Sequence, residues 1–181
     1  MPDFDLVVRN GTIATATDVM DCDIGIRDGT IVALAKDLGS GAKEIDAVGK
    51  LVLPGGVDSH CHIDQLSALG IRNADDFESG TIAAAFGGTT TVIPFACQHR
   101  GDSLRAVVDE YHDRARPKAV IDYAFHLIVT DPSPEILGQE LPALIRDGYT
   151  SFKIYMTYDS LKLDDYEILD VLAVARREGA L

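Results

Sequence analysis

The chain has no tryptophan, three methionines and three cysteines, and only 7% of its 181 residues are aromatic. Cys22, Cys61 and Cys97 are odd in number and form no C-x-x-C pair. They fit free thiols in a reducing cytoplasm better than a disulfide framework. Basic residues are also scarce: 16 Lys and Arg stand against 29 Asp and Glu, a formal net charge of -13. Like charge repels, so phosphate backbones and anionic membrane surfaces are disfavoured as partners, and neither nucleic acid nor membrane binding is expected. No apolar run approaches the ~18 residues needed to span a bilayer. The opening MPDFDLVVRN lacks both a basic stretch and an uninterrupted apolar one, so no secretory signal is read there. Neither a P-loop nor a G-x-G-x-x-G run occurs, which leaves a nucleotide role without support. What remains, 46% hydrophobic and 25% charged, is ordinary globular composition.

Residues 1–53 read as short strands joined by turns. Leu6-Val7-Val8-Arg9 runs into Asn10-Gly11, and Ile24-Gly25-Ile26-Arg27 into Asp28-Gly29, each a hairpin signal. At Leu53-Pro54-Gly55-Gly56 the pattern changes to alternating strands and helices. Strands are predicted over 89–95, 119–129 and 150–155. Helices are predicted over 103–116, from Pro134 to about residue 146 with Ser133 as its cap, and from Asp164 or Asp165 to a stop at Gly179. Four such strand–helix units imply a parallel sheet with helices packed outside it, an α/β fold. A closed (β/α)8 barrel needs eight, over roughly 250 residues.

The strongest local signal for chemistry is Gly56-Val57-Asp58-Ser59-His60-Cys61-His62. In a strand, residues i and i+2 share a face, so His60 and His62 project together while Cys61 points into the packing. Two imidazoles on one face suit a single divalent metal; the plainer alternative is two polar residues at a strand end. Their place at the end of the first strand of the series favours ligands, because barrel sites lie there. Asp58 reads either as an acceptor behind a histidine ring or as a strand-end carboxylate.

Lys153 lies in the otherwise apolar Phe152-Lys153-Ile154-Tyr155. A lysine is rarely buried without a partner. It either snorkels to solvent from the strand end or is desolvated and nucleophilic. In the second case it could condense with carbon dioxide to a carbamate, an anionic ligand able to bridge two metals.

Taken together, His60-Cys61-His62 after Val52-Leu53-Pro54-Gly55-Gly56-Val57-Asp58, then Gly87-Gly88-Thr89-Thr90-Thr91, and Lys153 with Tyr158 five residues on, resemble the amidohydrolase superfamily. More narrowly they resemble the D-hydantoinase and dihydropyrimidinase family. The likeness implies that 54–181 form the first half of a TIM-like (β/α)8 metal-dependent hydrolase barrel, preceded by a small β-sandwich segment at 1–53. It also implies two zinc ions, the more buried held by His60 and His62 and both bridged by Lys153 as N6-carboxylysine. Tyr158 would bind substrate and donate a hydrogen bond to the reacting carbonyl oxygen, and Leu66 would form a wall of the substrate site. The implied reaction is metal-assisted hydrolysis of a cyclic ureide or imide, a hydantoin or dihydropyrimidine, to an N-carbamoyl amino acid, by a homo-oligomer, dimer or tetramer.

The family's pattern includes two more histidines and an aspartate after the lysine, and none here matches. The other histidines, His99, His112 and His126, all precede Lys153. The chain is therefore expected to be the N-terminal part of such an enzyme, inactive alone. Allantoinase or a related ureide hydrolase, and a non-catalytic assembly protein, are the alternative readings. His126 sits near a strand end, either behind the metal ligands or as a satisfied rim histidine. His99 is read as a loop residue and His112 as solvated. Leu66 and Leu69 follow His62 on a loop.

Overall fold

The computed structural model describes residues 2–66 and 70–181; Leu69 lies outside the described residues. The chain divides into two compact units, Met1–Pro54 and Gly55–Leu181.

The first unit is one mixed sheet. Its strands are β1 (Phe4–Ala14), β2 (Val19–Arg27), β3 (Thr30–Ala35), β4 (Gly41–Asp46) and β5 (Leu51–Val52). The order is β3-β2-β1-β4, with β5 also paired to β1. β1 runs antiparallel to β2 and parallel to β4 and β5. Asp28-Gly29 forms the expected tight hairpin between β2 and β3, with φ of +50° and +70°.

Asn10-Gly11 does something else. β1 continues straight through it, with Asn10 at φ +61° and the register against β2 slipping between Val8 and Gly11. The pair is a bulge, and the reversal comes where the Thr15 amide donates to the Asp18 carbonyl at 2.8 Å. Long-range partners decide between the two: the Asn10 backbone N–H donates to Asp23 at 3.1 Å and its side-chain amide to Asp46 at 3.0 Å. Nearby, the Arg9 guanidinium forks onto both oxygens of Glu44 (2.6 and 2.8 Å) and reaches Asp23 at 3.1 Å.

The second unit alternates strands and helices: β6 (Gly56–Cys61), α1 (Phe77–Phe86), β7 (Thr89–Cys97), α2 (Leu104–Ala115), β8 (Asp122–Tyr123) and β9 (His126–Ile128). A π-helical turn (Ile136–Glu140) then leads into α3 (Leu141–Arg146), followed by β10 (Phe152–Lys153) and α4 (Asp165–Glu178). The sheet order is β10-β9-β7-β6, with β8 also on β7, and every pairing is parallel.

Two departures from the sequence reading have a common cause in proline. The strand expected over 119–129 is broken into β8 and β9. The Val92 carbonyl accepts from Ala124 N–H, so that side of β7 faces β8 and β9, and two residues on Pro94 has no N–H to offer there. The helix expected from Pro134 widens into a π turn closed by Leu141 N–H on the Ile136 carbonyl. Pro142 cannot donate to the Gly138 carbonyl, and its ring crowds that group. α4 follows its signals closely, with Asp164 and Glu167 in a reciprocal capping box and Gly179 at φ +80° as the stop.

Period-two alternation gives the sheet two faces. Cys61, Val92, Ala96, Leu127, Val129, Phe152 and Ile154 turn to the helices, packing with Phe77, Leu104, Val108, Tyr111, Leu144 and Val171 in the main core. Phe95, Cys97 and Ile128, with Tyr155, form a smaller cluster of their own. No described helix is long and apolar enough to cross a membrane.

Candidate metal centre

Phe95 is the hub of this second face. Its ring centroid lies 4.8 Å from that of His60, 5.0 Å from His62 and 5.2 Å from His126. Lys153 Nζ stands 4.4 Å above the same ring and 5.2 Å from that of Tyr155. The sheet thus brings residues from β6, β9 and β10, remote in sequence, around one side chain of β7. His60 and His62 are edge to face at 5.5 Å between centroids. β6 carries one extra residue relative to β7 between Asp58 and Cys61, a bulge at the His60 position. Bulges of this kind re-aim side chains beside functional sites.

His62 Nδ1 lies 2.5 Å from Gln65 Oε1. An amide oxygen only accepts, so Nδ1 carries the proton and Nε2 keeps its lone pair, the tautomer a metal requires. Gln65 is buried, and its backbone N–H is held by Asn73 at 3.1 Å. In the sequence Gln65, like Asp64, reads only as a loop residue following His62, because its i+3 spacing there carries no periodic signal. Among the described residues no hydrogen bond joins Asp58 to an imidazole: its carboxylate accepts the His60 backbone N–H at 3.0 Å, a local turn within the strand. His126 donates from Nε2 to the Ser59 carbonyl at 2.9 Å, and its Nδ1 meets the Ser151 hydroxyl.

Lys153 is half-buried, and among the described residues no carboxylate pairs with it. Among the described residues, too, no three His, Cys, Asp or Glu side chains gather as a metal site. His60 and His62 offer two imidazole nitrogens side by side. A carboxylated Lys153 would add oxygen donors, so the residues present fit the first part of a divalent site.

A cavity of about 820 Å³ opens beside His62 and Lys153, lined also by Gln65, Cys97, Tyr155 and Tyr158 among others; His60 is not among its described lining residues. It lies at the carboxyl ends of the parallel strands, where such sheets bind ligands. Arg72, Asn73, Met156 and Leu161 also line it, and none was singled out from sequence. Tyr158 is 63% exposed on the loop after β10, its ring 5.3 Å from that of Tyr155. Leu66, paired in an isolated bridge with Arg72, is not among the described lining residues. Burial pushes the Cys97 thiol up from its ordinary range, keeping it protonated.

Two other histidines differ in placement. His99 sits in a turn, with its carbonyl accepting from Asp102 N–H at 3.0 Å. His112 is not solvated: it lies between Tyr123, Tyr149 and Phe125, with Nε2 2.5 Å from the Tyr149 hydroxyl, and burial lowers its pKa.

Solved structures with the same fold define a class, that of hydantoinases. A structure described as D-hydantoinase matches 98% of this chain with a TM-score of 0.93 and 40% identity, the match taking up 38% of that chain. Dihydropyrimidinase from Brevibacillus agri matches 96% of it at TM-score 0.90 and 40% identity, again over 38% of its own length. In sequence, D-hydantoinase of Geobacillus stearothermophilus is 46% identical over 178 residues, 97% of this chain and 37% of the relative. No protein-family model matches. Over the span it covers, the chain is homologous to D-hydantoinases. It spans less than two fifths of these relatives' length.

Proposed function

We propose that His60, His62 and Lys153 are the first metal ligands of a zinc-dependent cyclic amidohydrolase, which opens hydantoins or dihydropyrimidines to N-carbamoyl amino acids. The observation that carries this reading is Lys153: a half-buried ammonium on the face of Phe95, without a carboxylate among the described residues, beside a histidine pair on the same ring. Carboxylation would turn this cation into an anionic donor beside the two imidazoles. The neutral amine attacks carbon dioxide, the N–C bond forms as one C–O π bond opens, and the amine proton leaves to solvent. The resulting carbamate is an anionic ligand.

Bound divalent metal would supply Lewis acidity and a water of lowered pKa. The chain's own residues do the rest. Gln65 holds the His62 tautomer, and the aromatic rings of Phe95 and Tyr155 fix Lys153. Tyr158, on the cavity rim, donates to the substrate carbonyl oxygen as it gains negative charge. The homology to D-hydantoinases and a similarity to dihydropyrimidinase support a cyclic ureide or imide as the small-molecule partner. Parallel pairing throughout the second unit supports reading 54–181 as half of a (β/α)8 barrel, with 1–53 contributing to a β-sandwich. Three unpaired thiols support a cytoplasmic setting.

The test is elemental analysis and hydrolysis of hydantoin and dihydrouracil, with the protein purified in zinc and bicarbonate. The 181 residues alone are expected to hold at most one zinc and to be inactive. The whole protein to which they correspond is expected to hold two and to lose activity on Lys153→Ala. Metal-free whole protein, or undiminished activity in Lys153→Ala, would overturn the reading.

A further inference from the structure

His126 makes contacts that reach beyond its own strand. β9 lies between β10 and β7, and β6 is the far strand of the row. The His126 Nε2–H donates to the carbonyl of Ser59, the residue before His60, inside the β6 bulge. Its Nδ1 is hydrogen-bonded to the hydroxyl of Ser151, two residues before Lys153. The ring also rests on Phe95, tilted by 34°. One imidazole thus ties the backbone beside His60 to a side chain two residues before Lys153, across the ring on which His60 and Lys153 both sit.

We propose that His126 is a positioning residue: it sets the spacing between His60 and Lys153, and through that spacing the metal affinity and the carboxylation of Lys153. The inference rests on the metal-site reading above. A purely structural histidine would affect stability alone, whereas a strut between ligands affects binding in protein that is still folded. Groups that orient ligands typically change metal affinity by roughly 10–100-fold when removed.

The experiment measures zinc affinity of the whole protein by competition with a chromophoric chelator, and carbamate by ¹³C NMR after ¹³C-bicarbonate exchange. Thermal unfolding of the metal-free protein serves as the folding control. His126→Phe keeps a ring against Phe95 and drops both hydrogen bonds; it is expected to weaken zinc binding by roughly 10–100-fold and to diminish the carbamate signal. His126→Gln, with a donor and an acceptor on one side chain, is expected to recover part of both, and Ser151→Ala to show a smaller loss of the same kind. Wild-type affinity and carbamate in folded His126→Phe would overturn the proposal. If that variant does not fold, wild-type values in Ser151→Ala would do so. No zinc in the wild-type protein removes the metal reading and this inference with it, a result distinct from the other two.

Discussion

The side-chain oxygen of Gln65 accepts the Nδ1 proton of His62 at 2.5 Å, so a buried amide selects which nitrogen of that histidine carries a proton. Gln65→Leu, close in size but without the acceptor, is expected to weaken zinc binding by roughly 10–100-fold while the protein stays folded. Chelator competition alongside a circular dichroism melt checks both halves. An unchanged affinity would mean that the amide is only packing.

Gly55 precedes β6 and lies against β7. A methyl group there would sit 2.7 Å from Thr90 Cβ, an atom that rotation of the threonine cannot move away. Gly55→Ala is expected to destabilise by about 1–3 kcal/mol, the usual range for overpacking. Gly138, in the π turn, has nothing within 4 Å of such a methyl. Gly138→Ala is expected to be neutral or stabilising by up to about 1 kcal/mol. Urea denaturation of the two variants side by side tests the contrast.

At the start of α4 the Asp164 carboxylate accepts the Glu167 N–H and the Glu167 carboxylate accepts the Asp164 N–H, each at 2.8 Å. Asp164→Ala removes half of this box and is expected to cost about 1 kcal/mol, whereas Asp164→Ser should recover most of it. Hydrogen exchange confined to the first turn of α4 would show the loss locally.

Glu44 accepts a forked hydrogen bond from Arg9 and one from the Gly41 N–H, which together hold its carboxyl at about 2, against an ordinary 4.5. A lowered carboxylate favours the folded state above the unfolded value, and that contribution fades as pH falls from 4.5 toward 2. The Glu44 carboxyl carbon, followed by NMR, is expected to titrate near 2 in the wild type and to move back toward 4.5 in Arg9→Leu. A wild-type midpoint at the ordinary value would show that the fork does not persist in solution.

Much of the architecture could be read from the sequence because its causes are local. The His60/His62 pair shares a face because strands alternate, and both rings do meet on Phe95. α2 starts at Ser103, whose hydroxyl accepts the Ala106 N–H, and α4 lies between its capping box and Gly179, as side-chain capping and a left-handed glycine dictate. Asp28-Gly29 makes its hairpin for the same kind of reason.

Only the tertiary structure could decide the rest, because the deciding partners are distant in the chain. Asn10-Gly11 carries the same signal as Asp28-Gly29, yet Asp23 and Asp46 capture it as a bulge. Pro94 was visible, but which neighbour lost its N–H depended on how β7 was paired. The amino-acid sequence determined the imidazole and amine side chains of the candidate site and the faces of the strands that bear them. Which side chains meet around them, Gln65 from a loop, Phe95 from β7 and His126 from β9, was settled by the packing of parallel strands, since that alone sets distances between residues tens of positions apart.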